Sequence, residues 1–300
     1  MQYVLTLTTD PATRRLTADH AASAAQALIR GGATVGNADW LAVDVAVDLP
    51  FDGSDIATAV VLVRDALEGL PIDVNAQPVT GRRKRLLIAD MDSTIITSES
   101  LDELAAYAGL KDVISEITAR AMRGELDFEA ALIERVAMLA GLAESVIDEV
   151  LDGIEVTAGA EALVATMKAD GADCALVSGG FKPMTAAIRM RLGFDEDRAN
   201  HLEARNGALT GRVIPPILGR EAKLAALREL AAAAGIAPAD AVTVGDGAND
   251  LAMLQAAGLG VAFRAKPAVR EAAGFRIDHG DLTGLLYLQG YRLSDIRQGA

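Results

Sequence analysis

The sequence predicts an α/β fold: a parallel sheet covered by helices, broken by one all-helical insertion and preceded by a small α+β unit. Three observations carry that prediction. From residue 85 onward, short apolar runs alternate with helical segments, which is how strands buried on both faces read. Aromatic residues make up only 4% while Ala and Leu abound, favouring helices over an all-β architecture. Apolar residues reach 51% of 300, enough to fill real cores, and the length allows two domains of ordinary size.

Residues 1–78 read as the small unit. QYVLTLT (2–8) alternates like a strand, ADHAASAAQALIR (18–30) has helical spacing, and WLAVDVAVDL (40–49) alternates again. SDIATAVVLVRDALEG (54–69) is helical and IDVNA (72–76) closes the set. This β-α-β-α-β order, with GGATVG (31–36) leaving room for another strand edge, is similar to ferredoxin-like folds. QPVTGRRKR (77–85) is expected to be an exposed linker, its basic run solvated and mobile rather than a phosphate patch. Residues 79–84 thus separate a first domain, 1–78, from a second, 85–300.

In the second domain the strand candidates are RLLIAD (85–90), DCALVS (173–178), AVTVGD (241–246) and LGVAF (259–263). Helices are expected near 158–170, 183–192, 220–234 and 249–256, with the helical insertion at about 98–152. HLEARNGALTGRV (201–213) reads as a hairpin turning at Asn206-Gly207.

A net charge of −14 argues against nucleic acid or an anionic membrane as partner. An anionic ligand would need locally placed cations. The single cysteine, Cys174, excludes an intrachain disulfide and a cysteine metal cluster. MQYVLTLTTD lacks the pattern of a signal peptide, and no apolar run approaches the ~18 residues of a membrane span. A cytoplasmic protein is expected.

The chemistry sits at the strand ends, where open α/β sheets bind ligands. Asp90, Ser178 and Asp246 end three strands, and small residues follow in SGG (178–180) and GDGAND (245–250). Each aspartate alone reads as a turn or cap residue. Together, Asp90, Asp92, Asp246 and Asp250 would crowd like charges that repel by roughly 4 kcal/mol at about 4 Å, even in a polarisable site. Raised pKa values or a divalent cation must relieve that repulsion, and oxygen ligands without His or Cys suit magnesium. Lys223 shares a helix face with Leu227 and Leu230. It either snorkels to solvent or clamps a phosphoryl oxygen.

DMDST (90–94), VSGGF (177–181), Lys223 and GDGANDL (245–251) resemble the four motifs of the haloacid dehalogenase superfamily, and within it the phosphoserine phosphatases. The resemblance covers about residues 85–290, including AMRGELDFEAAL (121–132) and the Asn-Gly hairpin. It implies a Rossmannoid parallel sheet with a helical cap inserted after the first strand. It also implies roles. Asp90 would be the nucleophile that forms an aspartyl-phosphate, and Asp92 the general acid and base. Mg2+ would be held by Asp90, the backbone carbonyl of Asp92 and Asp246, with Asp250 in support. Ser178, the Gly179 amide and Lys223 would hold the transferring oxygens, with Asn249 helping to fix the site.

Glu99 and Arg135 carry the charges to meet the ammonium and carboxylate of phosphoserine. Glu99 also fits a first-turn helix acid, whereas Arg135 has Leu132, Ala131, Met138 and Leu139 at helical-neighbour positions and so no local ion-pair partner. Met122 and Phe128 form either an apolar pocket wall or core. His20, His201 and His279 are scattered outside the motifs, and Cys174 lies within a strand, which disfavours histidine or cysteine phosphatase chemistry. Alternatives are another small phosphomonoester, transfer to a hydroxyl acceptor, or an amino-acid-sensing protein with secondary phosphatase activity. The first unit resembles ACT-like domains in element order alone, as a homodimerisation, stability or serine-sensing module.

Overall fold

The structure, a computed structural model, describes residues 1–122 and 125–299, with the side chains of 119, 121, 122 and 128 outside the described residues. The first unit runs β1 (Tyr3–Thr8), α1 (Ala18–Arg30), β2 (Thr34–Val35), β3 (Asp39–Ala42), β4 (Ala46–Asp52), α2 (Ile56–Ala66) and β5 (Asp73–Pro78). Its antiparallel sheet has the order β2-β4-β1-β5, with β3 also on β4. Thr17 and Asp55 cap α1 and α2 by accepting from His20 N and Thr58 N. Leu5, Leu7, Leu28, Phe51 and Val63 are buried between helices and sheet.

Two expectations need correction here. The stretch 40–49 is two strands rather than one, because Asp44 adopts a left-handed φ of 61° and turns the chain between Ala42 and Ala46. Its apolar alternation continues through the turn, since Leu41, Ala42, Val45 and Ala46 all pack on Tyr287. The segment 77–85 is exposed at 78–81, Arg83 and Arg85 as expected, but Gln77, Arg82 and Lys84 are not solvated. Gln77 and Pro78 complete β5. Arg82 forks onto Asp48 at 2.7 and 3.2 Å and donates to the carbonyls of Tyr287 and Leu288. Buried Lys84 donates to the carbonyls of Gly81 and Ala239. A buried carboxylate and chain-end carbonyls need donors, and the basic run supplies them.

The second unit begins with β6 (Leu86–Ala89) and a helical cap of α3 (Ser100–Tyr107), α4 (Lys111–Met122), α5 (Phe128–Ala137) and α6 (Val146–Gly153). The cap's two necks run side by side, with Thr97 N donating to Glu155 O and Thr157 N to Ile95 O. There follow α7 (Ala160–Ala169), β7 (Asp173–Phe181), α8 (Lys182–Leu192), β8 (Glu196–Arg205), β9 (Ala208–Ile214), α9 (Arg220–Ala233), β10 (Ala241–Gly245), α10 (Leu251–Ala256), β11 (Leu259–Phe263), α11 (Pro267–Ala272), β12 (Phe275–Ile277) and α12 (Gly284–Leu288).

The sheet order is β12-β11-β10-β6-β7-β8-β9, parallel except for the β8–β9 hairpin. The hairpin turns at Asn206 (φ 55°) and Gly207 (φ 78°), both left-handed as such a tight turn demands. The chain leaves β6 toward β7 on one side and returns to β10 on the other. That reversal opens a crevice at the carboxyl end of β6. No helix among the described residues is long and apolar enough to cross a membrane.

Arg82→Ala should cost about 3–5 kcal/mol of unfolding free energy in urea titrations, because it leaves buried Asp48 unpaired. The half-exposed pair of Arg83 with Asp170 should be worth no more than about 1 kcal/mol in the same assay.

Candidate active site

Asp90 leaves β6 in an extended conformation, and its amide is tied to Val244 O of β10 at 3.0 Å. The chain then turns sharply. Asp92 is extended (φ −66°, ψ 135°) and Ser93 left-handed (φ 54°, ψ 8°), a strained choice for a residue with a Cβ. The two carboxylates therefore diverge. Asp90 Oδ1 meets Lys223 Nζ at 2.6 Å. Asp92 Oδ1 accepts from Ser100 N at 2.9 Å in the first turn of α3, while its Oδ2 lies 3.5 Å from Ser178 Oγ.

Ser178, Gly179 and Gly180 lie near the end of β7. Ser178 Oγ accepts from Gly180 N at 2.8 Å. A Cβ at 180 would come within 2.8 Å of Asp92 Oδ2 and 3.1 Å of both Ser100 Oγ and Ser178 Oγ, so the close approach of these groups requires glycine.

Lys223, in the first turns of α9, also reaches Asp250 Oδ1 at 2.6 Å, and both partners are buried. Asp250 folds back over the end of β10, accepting from Gly247 N at 3.0 Å. A Cβ at Gly245 would collide with its Cγ. Asn249, half-buried, sits against Gly247 in the same turn. Asp246 pairs with Lys266 Nζ at 3.1 Å.

One carboxylate oxygen from each of Asp90, Asp246 and Asp250 lies within 4.8 Å of the others. This all-oxygen donor set, free of thiol and imidazole, fits a hard divalent cation. The side chain of Asp92 is not one of the three.

Burial, then the charge of Asp250, raises the Asp90 pKa well above the usual carboxylate range. Burial likewise raises Asp246, against the opposing charge of Lys266. Asp92 is pushed up to about 7, by burial first and by the Glu99 charge second. Burial works against the Lys223 ammonium, but Asp250 and Asp90 outweigh it and hold the proton more firmly than in water.

Glu99 stands just before α3 and accepts from Ser93 Oγ at 2.7 Å; burial raises its pKa. Arg135 on α5 donates to Thr118 Oγ1 at 2.9 Å and to Ala131 O at 3.1 Å. Burial lowers its pKa against the opposing charges of Asp102, Glu99 and Asp92. The side chains of Met122 and Phe128 lie outside the described residues. Sequence reasoning missed Lys266. Its only signal was loose: it lies three residues past the strand end LGVAF, further out than Asp90 or Asp246 from theirs.

Fold and cluster together define an enzyme class: a parallel α/β protein with an acidic, cation-competent centre at the strand ends under a helical cap. Residues 87–255 match the haloacid dehalogenase-like hydrolases, and the chain belongs to that family. It is 43% identical over 285 residues to a phosphoserine phosphatase of Streptomyces coelicolor, covering 94% of this chain and 70% of that protein. It is also 43% identical over 231 residues to one of Mycobacterium tuberculosis, covering 77% of this chain and 56% of that one. The solved structure of a haloacid dehalogenase family hydrolase from Salmonella enterica serovar Typhi superposes with a TM-score of 0.84 at 29% identity, covering 96% of this chain and 98% of that one.

Gly180→Ala should leave the circular dichroism spectrum intact while lowering hydrolase turnover about 100-fold, since its methyl group would push Asp92 out of position.

Proposed function

We propose that this chain is a magnesium-dependent phosphoserine phosphatase, releasing serine and inorganic phosphate. The observation that carries the reading is the meeting of Asp90, Asp246 and Asp250 around a common point, with Lys223 bridging Asp90 and Asp250. The phosphoserine phosphatases at 43% identity support the choice of substrate.

In this reading the Asp90 carboxylate attacks phosphorus in line. The bond from phosphorus to the serine oxygen breaks as the Asp90–phosphorus bond forms. Asp92, pushed up to about 7, holds a proton near neutrality and gives it to the departing serine oxygen. It then takes a proton from the water that cleaves the aspartyl-phosphate. The Ser100 amide fixes one oxygen of Asp92 and leaves the other facing Ser178 and the crevice.

Lys223, Ser178 Oγ and the Gly179 amide hold the transferring oxygens, and Asn249 steadies the turn behind them. Asp90, Asp246, Asp250 and the carbonyl of Asp92 would hold magnesium, which when bound neutralises the acids and a phosphate oxygen. Glu99 meets the substrate ammonium. Arg135 turns its fork from Thr118 to the substrate carboxylate. The cap excludes water, with Met122 and Phe128 proposed for its apolar wall. Cytoplasmic location and a homodimer through the first unit belong to the same proposal.

Asp90→Asn should abolish turnover of phosphoserine without unfolding the protein; near-normal rates in that variant would refute the mechanism. Chelation with EDTA should likewise stop turnover, and added magnesium should restore it. Arg135→Ala should lower kcat/KM for phosphoserine about 10- to 100-fold while sparing p-nitrophenyl phosphate, which lacks the carboxylate. An equal loss on both substrates would remove Arg135 from substrate recognition.

A further inference from the structure

The segment Ser178-Gly179-Gly180 should be loose. Two consecutive glycines leave its peptide planes free to rotate, and it departs from the sheet. Opposite it, the β7–β8 register jumps from Val177↔Arg198 to Phe181↔Asn200, so four steps along β7 face two along β8. The bulge takes the segment's peptide groups out of regular pairing just where a phosphate-binding amide is needed.

One side chain replaces what the bulge removes. Asn200 on β8 is fully buried. Its Nδ2 donates to Gly179 O at 2.8 Å, and its Oδ1 accepts from Leu218 N at 2.7 Å. These partners fix the amide's orientation, since a carbonyl demands the NH2 end and an N–H demands the oxygen. The peptide joining Gly179 to Gly180 is therefore gripped at both ends, its carbonyl by Asn200 and its N–H by Ser178 Oγ. Leu218 immediately precedes Gly219, the N-cap of α9, and α9 carries Lys223. The same amide therefore reaches the lead-in to the lysine.

We propose that Asn200 is a positioning residue for phosphoryl transfer, setting the Gly179 backbone against Lys223 so that both address the same phosphate oxygens. It touches no substrate. Its role rests on the phosphatase reading above and adds a residue that the four motifs do not contain.

The test uses the full-length protein. Asn200→Asp is nearly isosteric and keeps the acceptor for Leu218 N, but turns an acceptor toward Gly179 O. It should lower kcat/KM about 100-fold, the scale of a small misplacement at a reacting centre, and weaken inhibition by inorganic phosphate about tenfold. Because phosphate handling is what suffers, the loss should be equal on phosphoserine and p-nitrophenyl phosphate, unlike that of Arg135→Ala.

Should Asn200→Asp fail to fold, Asn200→Ala carries the same measurements. A purely structural role would lower the melting temperature and active fraction while leaving KM and the phosphate inhibition constant at wild-type values. That result, or an unaltered kcat/KM in a folded variant, overturns the proposal. An inactive wild-type protein would instead overturn the phosphatase reading itself.

Discussion

Negative charge forced into a buried crevice is the constraint on which the rest of this molecule depends. Asp90, Asp246 and Asp250 bring oxygens within 4.8 Å of one another while nearly fully buried. Such a cluster stands only if cations and dipoles surround it. Lys223 is therefore inserted between two of the acids, and Lys266 leans on the third. The backbone yields as well. Gly245 lacks a side chain because Asp250 occupies that space, and the Gly247 amide points into the Asp250 carboxylate. The reversal of strand order at β6 lets neighbouring strand ends deliver these groups to one place.

A second consequence is the separation of two acids only two residues apart. Had Asp92 joined the cluster, a further like charge would have needed its own counter-ion. The left-handed Ser93 turns it away, toward the amide of Ser100 and the hydroxyl of Ser178. Its environment is then set first by burial and by Glu99, which raise its pKa against the Ser100 hydrogen bonds and the charge of Lys223. One short turn thus places two acids in two different environments, one against Lys223 and Asp250 and the other beside Ser100, Ser178 and Glu99. Because the Ser100 amide belongs to α3, the orientation of Asp92 is tied to the position of the cap.

Much of this was legible in the sequence because burial on both faces leaves continuous apolar runs, and polar residues at their ends stand out. Asp90, Ser178 and Asp246 were visible for that reason. What escaped notice did not follow that pattern. The parallel start of β8 reads EDRAN, too polar to look like a buried strand, and β12 has only three residues. Lys266 lies three residues past its strand end, beyond the reach of a strict strand-end rule. Within the basic run at 82–85, Arg83 and Arg85 are exposed as expected, but Arg82 and Lys84 are not, because sequence carries no record of which distant carbonyls await a donor. Arg82 finds its partners at Asp48, Tyr287 and Leu288, far along the chain in both directions.

The first unit also resolves a difficulty that the second sheet would otherwise face. A parallel sheet ending in a short strand presents an open edge of unpaired backbone groups. The outer edge of β12 is instead closed by side chains from β5. Asn75 accepts from Arg276 N at 2.9 Å and donates to Arg276 O at 2.8 Å, imitating a neighbouring strand. Asp73 then accepts from the amides of Asp278, His279 and Gly280. At the opposite edge, the β8–β9 hairpin packs on the cap, where Gly211 lies against Ala137 and Ala140. Side-chain amides and carboxylates bond only in matched register, so contacts of this kind dock the units in one orientation where an apolar patch would tolerate several. That specificity fits a sheet whose strand ends must hold three acids, two lysines and a hydroxyl in fixed relation.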